Sequence, residues 1–78
     1  MKYFVEFVVS SLVKHAEEVE VAVVEKPDSI AYLVRLNQFD IGRVIGKNGR
    51  TISAIRSLCH AATPRGGRPA LVEIVEHR

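Results

Sequence analysis

The sequence has few cysteine and aromatic residues and no long uncharged apolar run. Among its 78 residues there are one cysteine and no tryptophan. A single cysteine excludes an internal disulfide, and Cys59 lies in an apolar helical stripe, so we expect a buried thiol in a reducing cytoplasm. The uncharged run at residues 7–13 is too short to cross a membrane, and we expect no membrane insertion.

Acidic residues are absent from the middle of the chain. From Ile41 to Ala70 there are six basic residues and no Asp or Glu. The net charge of +2 hides this asymmetry. Residues 1–40 carry four Lys or Arg against seven acids, whereas residues 41–78 carry seven against two. A one-sided positive field attracts a polyanion, because an ordinary solvated surface usually mixes both signs.

The sequence offers no spacing typical of a catalytic or metal site. The residues considered for such a site are His15, His60, His77, Cys59, Glu17, Glu18 and Glu20. Cys59 and His60 are adjacent on a predicted helix and point apart. Residues 42–48 superficially match a P-loop, but three residues instead of four separate the glycines, and Asn48 replaces the Ser or Thr that would hold magnesium. We therefore expect no enzyme activity, no cofactor and no metal.

Hydrophobic periodicity predicts a helix followed by a hairpin in the first half of the chain. Helical spacing extends from Lys2 to about Ala16, with an apolar face formed by Phe4, Val5, Val8, Val9, Leu12 and Val13. Alternation from Val19 and again over 30–36, on either side of a turn at 26–29, predicts two paired strands. The second strand is apolar on both faces and should be central, which leaves the first at an edge.

The second half predicts two helices and a last strand. Asp40 is a suitable N-cap for a short helix over 41–45. A longer helix over 50–62 should turn Ile52, Ile55, Cys59 and Ala62 inward and leave Arg56 and His60 exposed. A loop at 63–69 precedes a strand over 71–75, which should pair parallel to the central strand after a right-handed crossover. All three helices should then cover one face of the sheet.

Two glycines, Gly46 and Gly49, bracket Lys47 and Asn48 between the two predicted helices. Glycine permits backbone angles closed to other residues and a close approach of a ligand. The N-terminus of the second helix favours an anion, and Lys47 and Arg50 add charges suited to phosphate oxygens. The alternative is a helix-turn-helix corner in which the glycines only turn the chain.

This stretch resembles the I-G-x-x-G-x-x-I signature of the KH domain, and the element order resembles the type II KH arrangement. The resemblance covers essentially the whole chain, 1–78, as a single domain, and is greatest to small bacterial single-KH-domain RNA-binding proteins of the KhpA type. It implies an α+β fold of order α-β-β-α-α-β with a three-stranded mixed sheet. It also implies a cytoplasmic protein that clamps about four nucleotides of single-stranded RNA with low sequence specificity.

The resemblance assigns the predicted RNA contacts to the glycine loop and an aliphatic wall beside it. The residues are Ile41, Arg43, Val44, Ile45, Gly46, Lys47, Asn48, Gly49, Arg50 and Ile52. Arg56, Arg65 and Arg68 are candidates for additional phosphate contacts, with ordinary solubility as their alternative. The family also implies an RNA chaperone or post-transcriptional regulator. The alternative is a protein-interaction subunit, as a homodimer or as a heterodimer with a larger KH-containing protein.

Overall fold

The computed structural model describes residues 1–64 and 66–76. Its elements follow the predicted order: α1 (Lys2–Leu12), β1 (Glu20–Glu25), β2 (Ile30–Leu36), α2 (Ile41–Ile45), α3 (Arg50–Ala62) and β3 (Ala70–Glu76). Short 3-10 turns occupy Ala16–Glu18, Gln38–Asp40 and Lys47–Gly49. The predicted bounds of α2 and α3 are confirmed, and β3 extends one residue beyond its prediction at each end.

The sheet is mixed and has β2 at its centre. β1 pairs antiparallel with β2, placing Val21 opposite Val34, and β3 pairs parallel with β2, placing Val72 opposite Tyr32. The predictions that β2 is central and that β1 lies at an edge of the sheet are both confirmed. The parallel pairing requires the long connection through α2 and α3, because parallel neighbours cannot be joined by a tight turn.

The core lies between one face of the sheet and the three helices. Its buried members are Val5 and Val9 of α1, Val44 of α2, Ile52, Ile55 and Cys59 of α3, and Val21, Tyr32, Val34, Leu36 and Val72 of the sheet. The other face carries the alternate side chains and remains more open, since Leu71 and Val24 are exposed there. Cys59 is fully buried, as predicted, and burial raises the pKa of its thiol.

The first helix is shorter than its sequence pattern predicts. It ends at Leu12, and Val13 has an extended backbone, so the expected continuation to Ala16 is wrong. Phe4 and Leu12 were predicted to face inward but are 37% and 39% exposed. Ala62 is likewise exposed at the end of α3. The described part of the chain contains no helix long and apolar enough to cross a membrane.

Asp40 accounts for the early end of α1. Its carboxylate, 1% exposed, accepts hydrogen bonds from the backbone N–H groups of Lys14 at 3.1 Å and His15 at 2.9 Å. These two donors therefore bind Asp40 and not carbonyls of a longer helix. Asp40 occupies the predicted N-cap position of α2, but the capping bond expected of its side chain is not formed. The side chain of Asn37 instead caps the preceding 3-10 turn through Phe39 N.

The Asp40 contacts predict acid-sensitive stability. Burial alone would raise the pKa of the carboxyl, but the Lys14 and His15 N–H groups, with the charges of His15 and Arg43, hold that pKa below its usual value. The ionised Asp40 carboxylate contributes its full stabilisation of the fold above about pH 4, which is the pKa of an aspartate in the unfolded chain. It is lost as the pH falls through the lowered value of the folded state.

We therefore expect Asp40→Asn to have a lower free energy of unfolding than the native chain at neutral pH. The difference in unfolding free energy between the two proteins should become smaller as the pH falls below about 4. Urea unfolding at a series of pH values measures this difference. A constant difference from neutral to acid pH would show that the carboxylate charge contributes nothing.

Candidate nucleic-acid interface

The loop between α2 and α3 has a backbone that depends on its glycines. Gly46 has φ 77° and ψ 173°, and Asn48 and Gly49 are both left-handed, with φ values of 57° and 73°. A Cβ on Gly46 would overlap the Thr51 side chain and lie 2.9 Å from Thr51 N. Only glycine fits this position, since its φ and the close approach of α3 both exclude a side chain.

The loop leaves two adjacent backbone donors without acceptors. Gly46 N donates to Gly42 O at 2.8 Å, Gly49 N donates to Gly46 O at 3.1 Å, and Arg50 N donates to Lys47 O. The N–H groups of Lys47 and Asn48 have no hydrogen-bond acceptor within the described residues. Both residues are exposed, so a ligand oxygen can reach these donors at the start of α3.

The basic residues around the loop fall into two groups. Arg43 Nε lies 3.3 Å from Asp40 Oδ1. Arg56 donates through Nε and Nη2 to Val72 O, at 3.3 and 3.2 Å, and so bridges α3 to β3. Lys47 and Arg50, in contrast, are exposed and have no ion pair within the described residues. Of these four basic residues, Lys47 and Arg50 are therefore the two whose charges are not already engaged within the described fold.

Arg68 lies at the far end of the basic block and holds the 63–69 loop in place. Its Nη2 pairs with Glu25 Oε1 at 2.6 Å, and its Nη1 donates to Lys26 O at 2.8 Å. The guanidinium therefore ties the loop to the β1–β2 turn. Arg65, the other candidate in this loop, lies outside the described residues.

The aliphatic wall is narrower than the sequence predicts. Ile45 is 36% exposed and Ile41 is partly buried, and both lie on one face of α2 because they are four residues apart. Val44 and Ile52, at 0% and 7%, belong to the core. Their predicted contact with a base is therefore corrected: they anchor α2 and α3 beneath the loop, and the surface beside it is formed by Ile41 and Ile45.

The strand opposite α3 is an edge strand. Pro69 O accepts from Ile30 N, whereas Val72 O accepts from Arg56 of α3. In a parallel pair, alternate residues direct both backbone groups toward the partner strand. The backbone groups of Ala70, Val72 and Ile74 are therefore directed to the outer edge of β3, beside α3.

Sequence reasoning missed one cluster of candidate metal ligands. His15 Nδ1 lies 3.7 Å from Glu17 Oε1 and 3.8 Å from Glu18 Oε2, around the 3-10 turn that follows α1. Glu18 Oε2 also accepts from Asn37 Nδ2 at 2.9 Å. The cluster is at least partly exposed, and its signal in the sequence is a set of spacings of one, two and three residues across a tight turn. His77 lies outside the described residues.

The mixed sheet with three helices on one face and a glycine loop joining α2 to α3 defines the type II KH fold. The chain matches the family described as "KhpA/KhpB, KH domain" over residues 2–74 and belongs to that family. Among its relatives, the RNA-binding protein KhpA of Chlamydia muridarum is 40% identical over 78 residues, which is 100% of both chains. The RNA-binding protein KhpA of Oceanobacillus iheyensis is 35% identical over 96% of this chain and 100% of its own. No solved structure shows significant similarity.

Proposed function

We propose that the protein binds single-stranded RNA by holding the sugar-phosphate backbone of about four nucleotides at the 46–49 loop. The observation that carries the proposal is that two backbone N–H donors, at Lys47 and Asn48, lie beside two side-chain cations, Lys47 and Arg50. Within the described residues, these donors have no acceptor and these cations have no ion pair. Phosphate oxygens are the ligands that satisfy both features. The relatives are named RNA-binding proteins, which supports RNA as the source of these phosphates.

The bases would lie on Ile41 and Ile45, with the outer edge of β3 opposite. Aliphatic side chains can pack against the planar face of any base, and backbone N–H and C=O groups can form hydrogen bonds with base edges. Four contacted nucleotides carry little sequence information, so specificity would be low. This suits an RNA chaperone or post-transcriptional regulator acting on many RNAs in the cytoplasm.

Salt dependence tests the phosphate contacts. If Lys47 and Arg50 each neutralise one phosphate, the logarithm of the association constant should fall with that of the salt concentration at a slope of about −1.4, which is about −0.7 per contact on a single strand. Arg50→Ala should make the slope shallower by about 0.7. Fluorescence-anisotropy titrations of a short single-stranded RNA at several salt concentrations measure both values.

The matched control is Arg43→Ala, because Asp40 already pairs with that guanidinium. It should leave the slope close to that of the native chain. A binding isotherm that does not change with salt would contradict the proposed phosphate contacts. If Arg43→Ala and Arg50→Ala made the salt-dependence slope shallower by equal amounts, the assignment of those contacts to the 46–49 loop would be contradicted.

A second candidate function, a protein-interaction subunit, is favoured by the outer face of α1. Tyr3 and Phe7 are 80% and 73% exposed and lie one helical turn apart. We propose that a second copy of the chain covers these rings. Phe7→Glu should then convert a dimer to a monomer in sedimentation equilibrium while the far-ultraviolet circular dichroism is unchanged. A native chain that is monomeric at high concentration would contradict this assignment.

A further inference from the structure

A cavity of about 310 Å³ lies on the helix-covered face of the sheet, at the end where β2 and β3 begin. Its floor is formed by Ile30 and Tyr32 of β2 and by Ala70 of β3, which pairs with Ile30. Met1, which precedes α1, and Pro64, which follows α3, also line it. This space, the Tyr32 cavity, therefore opens at the end of the core where α1 begins and α3 ends.

The Tyr32 cavity is separate from the proposed clamp. Thr63, directly after the C-terminal end of α3, lines the cavity, whereas Gly49 of the 46–49 loop lies directly before the N-terminal end of the same helix. At a rise of about 1.5 Å per residue, Gly49 and Thr63 lie about 20 Å apart along the helix axis. The floor residues also pack against the core and do not face the outer edge of β3. A ligand in the cavity would therefore leave the loop free.

The Tyr32 hydroxyl is a donor that the fold leaves unused. The residue is 5% exposed, and its hydroxyl has no hydrogen-bond partner among residues 1–64 and 66–76. No side-chain N or O atom of those residues is sealed from solvent without a partner, so this hydroxyl reaches solvent through the cavity that Tyr32 lines. Burial raises the pKa of Tyr32, so the hydroxyl keeps its proton at neutral pH. A ligand oxygen in the cavity would supply the missing acceptor.

The rim of the cavity is fixed before any ligand binds. Gly67 N donates to Pro64 O at 2.9 Å and closes a turn, and the Arg68 guanidinium holds this loop against the β1–β2 turn. Arg68 is the one charged side chain among the described residues that line the cavity. Its two contacts leave further N–H groups of the guanidinium, which has five in all, for a ligand. The cavity therefore combines an apolar floor with donors from Tyr32 and Arg68.

We propose that the Tyr32 cavity binds a small carboxylate with an apolar body, such as an aromatic acid. The Tyr32 hydroxyl donates to the carboxylate, the Arg68 guanidinium supplies the opposite charge, and the apolar body packs on the floor. The volume is at the lower end of the range for small-molecule sites, about 300–1,000 Å³, so a ligand of one or two rings suits it. An amine is disfavoured, because Tyr32 and Arg68 both present donors. This ligand site goes beyond the proposed RNA binding and does not depend on it.

Amide mapping with benzoate tests the site. The nitrogen-15-labelled chain is titrated with benzoate, with benzylamine, and with acetate, which has the charge of benzoate without its ring. We expect benzoate to shift the amides of Ile30, Thr63 and Ala70 and to leave those of Lys47 and Asn48 unmoved. Benzylamine and acetate should each bind at least about 10-fold more weakly, because benzylamine lacks the acceptor and acetate lacks the apolar body.

Tyr32→Phe removes the hydroxyl and keeps the ring. It should weaken benzoate binding by at least about 10-fold, the lower end for a hydrogen bond to a charged group. Its melting temperature should not fall, since the hydroxyl has no partner within the described part of the chain. Tyr3→Phe is the matched control, because it removes the same group from a ring that is 80% exposed, and it should bind benzoate normally. Ala70→Leu, which fills the cavity, should abolish binding while circular dichroism shows a folded chain.

Equal benzoate affinities in the native chain and Tyr32→Phe would overturn the site. Benzoate shifts confined to the 46–49 loop would overturn it as well, because the anion would then be bound by the loop donors. Acetate that binds as tightly as benzoate would show a site for charge alone and would contradict the role of the apolar floor. Tyr32→Phe should bind single-stranded RNA as the native chain does, so failure of this site and failure of the clamp are distinguishable.

Discussion

Replacing Lys47 and Asn48 together by aspartate is expected to weaken RNA binding by at least about 100-fold, because hydrogen bonds to charged groups contribute about 1.5–3 kcal/mol each and the new carboxylates repel phosphate. Both side chains are exposed and make no contact that the fold requires. Asp and Asn also tolerate the left-handed backbone at position 48. Circular dichroism should therefore show a folded chain, and anisotropy should show the loss of binding.

The control for this variant keeps the same change in net charge. Lys2→Asp with Gln38→Asp also alters the charge by −3 relative to the native chain, at two exposed positions outside the loop. It should reduce affinity far less than the loop variant. Equal losses in the two variants would show that the overall field attracts RNA and that the loop has no special role.

Gly46→Ala is expected to have the largest effect on stability of any single substitution in the loop. Its Cβ would overlap Thr51, and its φ of 77° with ψ of 173° is a region essentially restricted to glycine. Backbone strain of about 1–3 kcal/mol and overpacking of about 1–3 kcal/mol combine to roughly 3 kcal/mol. A domain of this size has about 4–12 kcal/mol in total. The melting temperature should therefore fall by at least about 12 °C.

Two other glycines give a graded comparison for Gly46. A Cβ on Gly42 meets nothing within 4 Å, and the residue lies in α2, so Gly42→Ala should be neutral or stabilising by up to about 1 kcal/mol. Gly49 is left-handed with open space around it, so Gly49→Ala should cost about 1–2 kcal/mol from strain alone. Thermal unfolding ranks the three variants. A Gly46→Ala chain as stable as Gly42→Ala would contradict the described loop geometry.

The features predicted correctly from the sequence are those that depend on neighbouring residues. The bounds of α2 and α3 follow from apolar spacing and from the glycines between them. The central position of β2 follows from its two apolar faces, which only a strand with a neighbour on each side can bury. The fold class needed the resemblance as well, because periodicity alone does not order three strands.

The errors concern contacts between residues far apart in the chain. Aspartate is a common N-cap residue, so the sequence predicts that Asp40 caps α2. Nothing near Asp40 in the sequence indicates that the backbone N–H groups of Lys14 and His15 will donate to its carboxylate instead. The bond of Arg56 to Val72 O likewise exists only once the crossover has placed α3 beside β3. Val44 illustrates a third limit. Its apolar side chain suits both a core and a surface wall, and packing decides between them.

The clamp itself remains a proposal, and amide mapping tests it most directly. A titration of the nitrogen-15-labelled chain with a four-nucleotide single-stranded RNA follows each backbone N–H group separately. We predict that the Lys47 and Asn48 amides, which have no acceptor among the described residues, shift most, together with the neighbouring amides of Gly49 and Arg50. Saturating shifts confined to α1 around Tyr3 and Phe7, with the loop amides unmoved, would contradict the account.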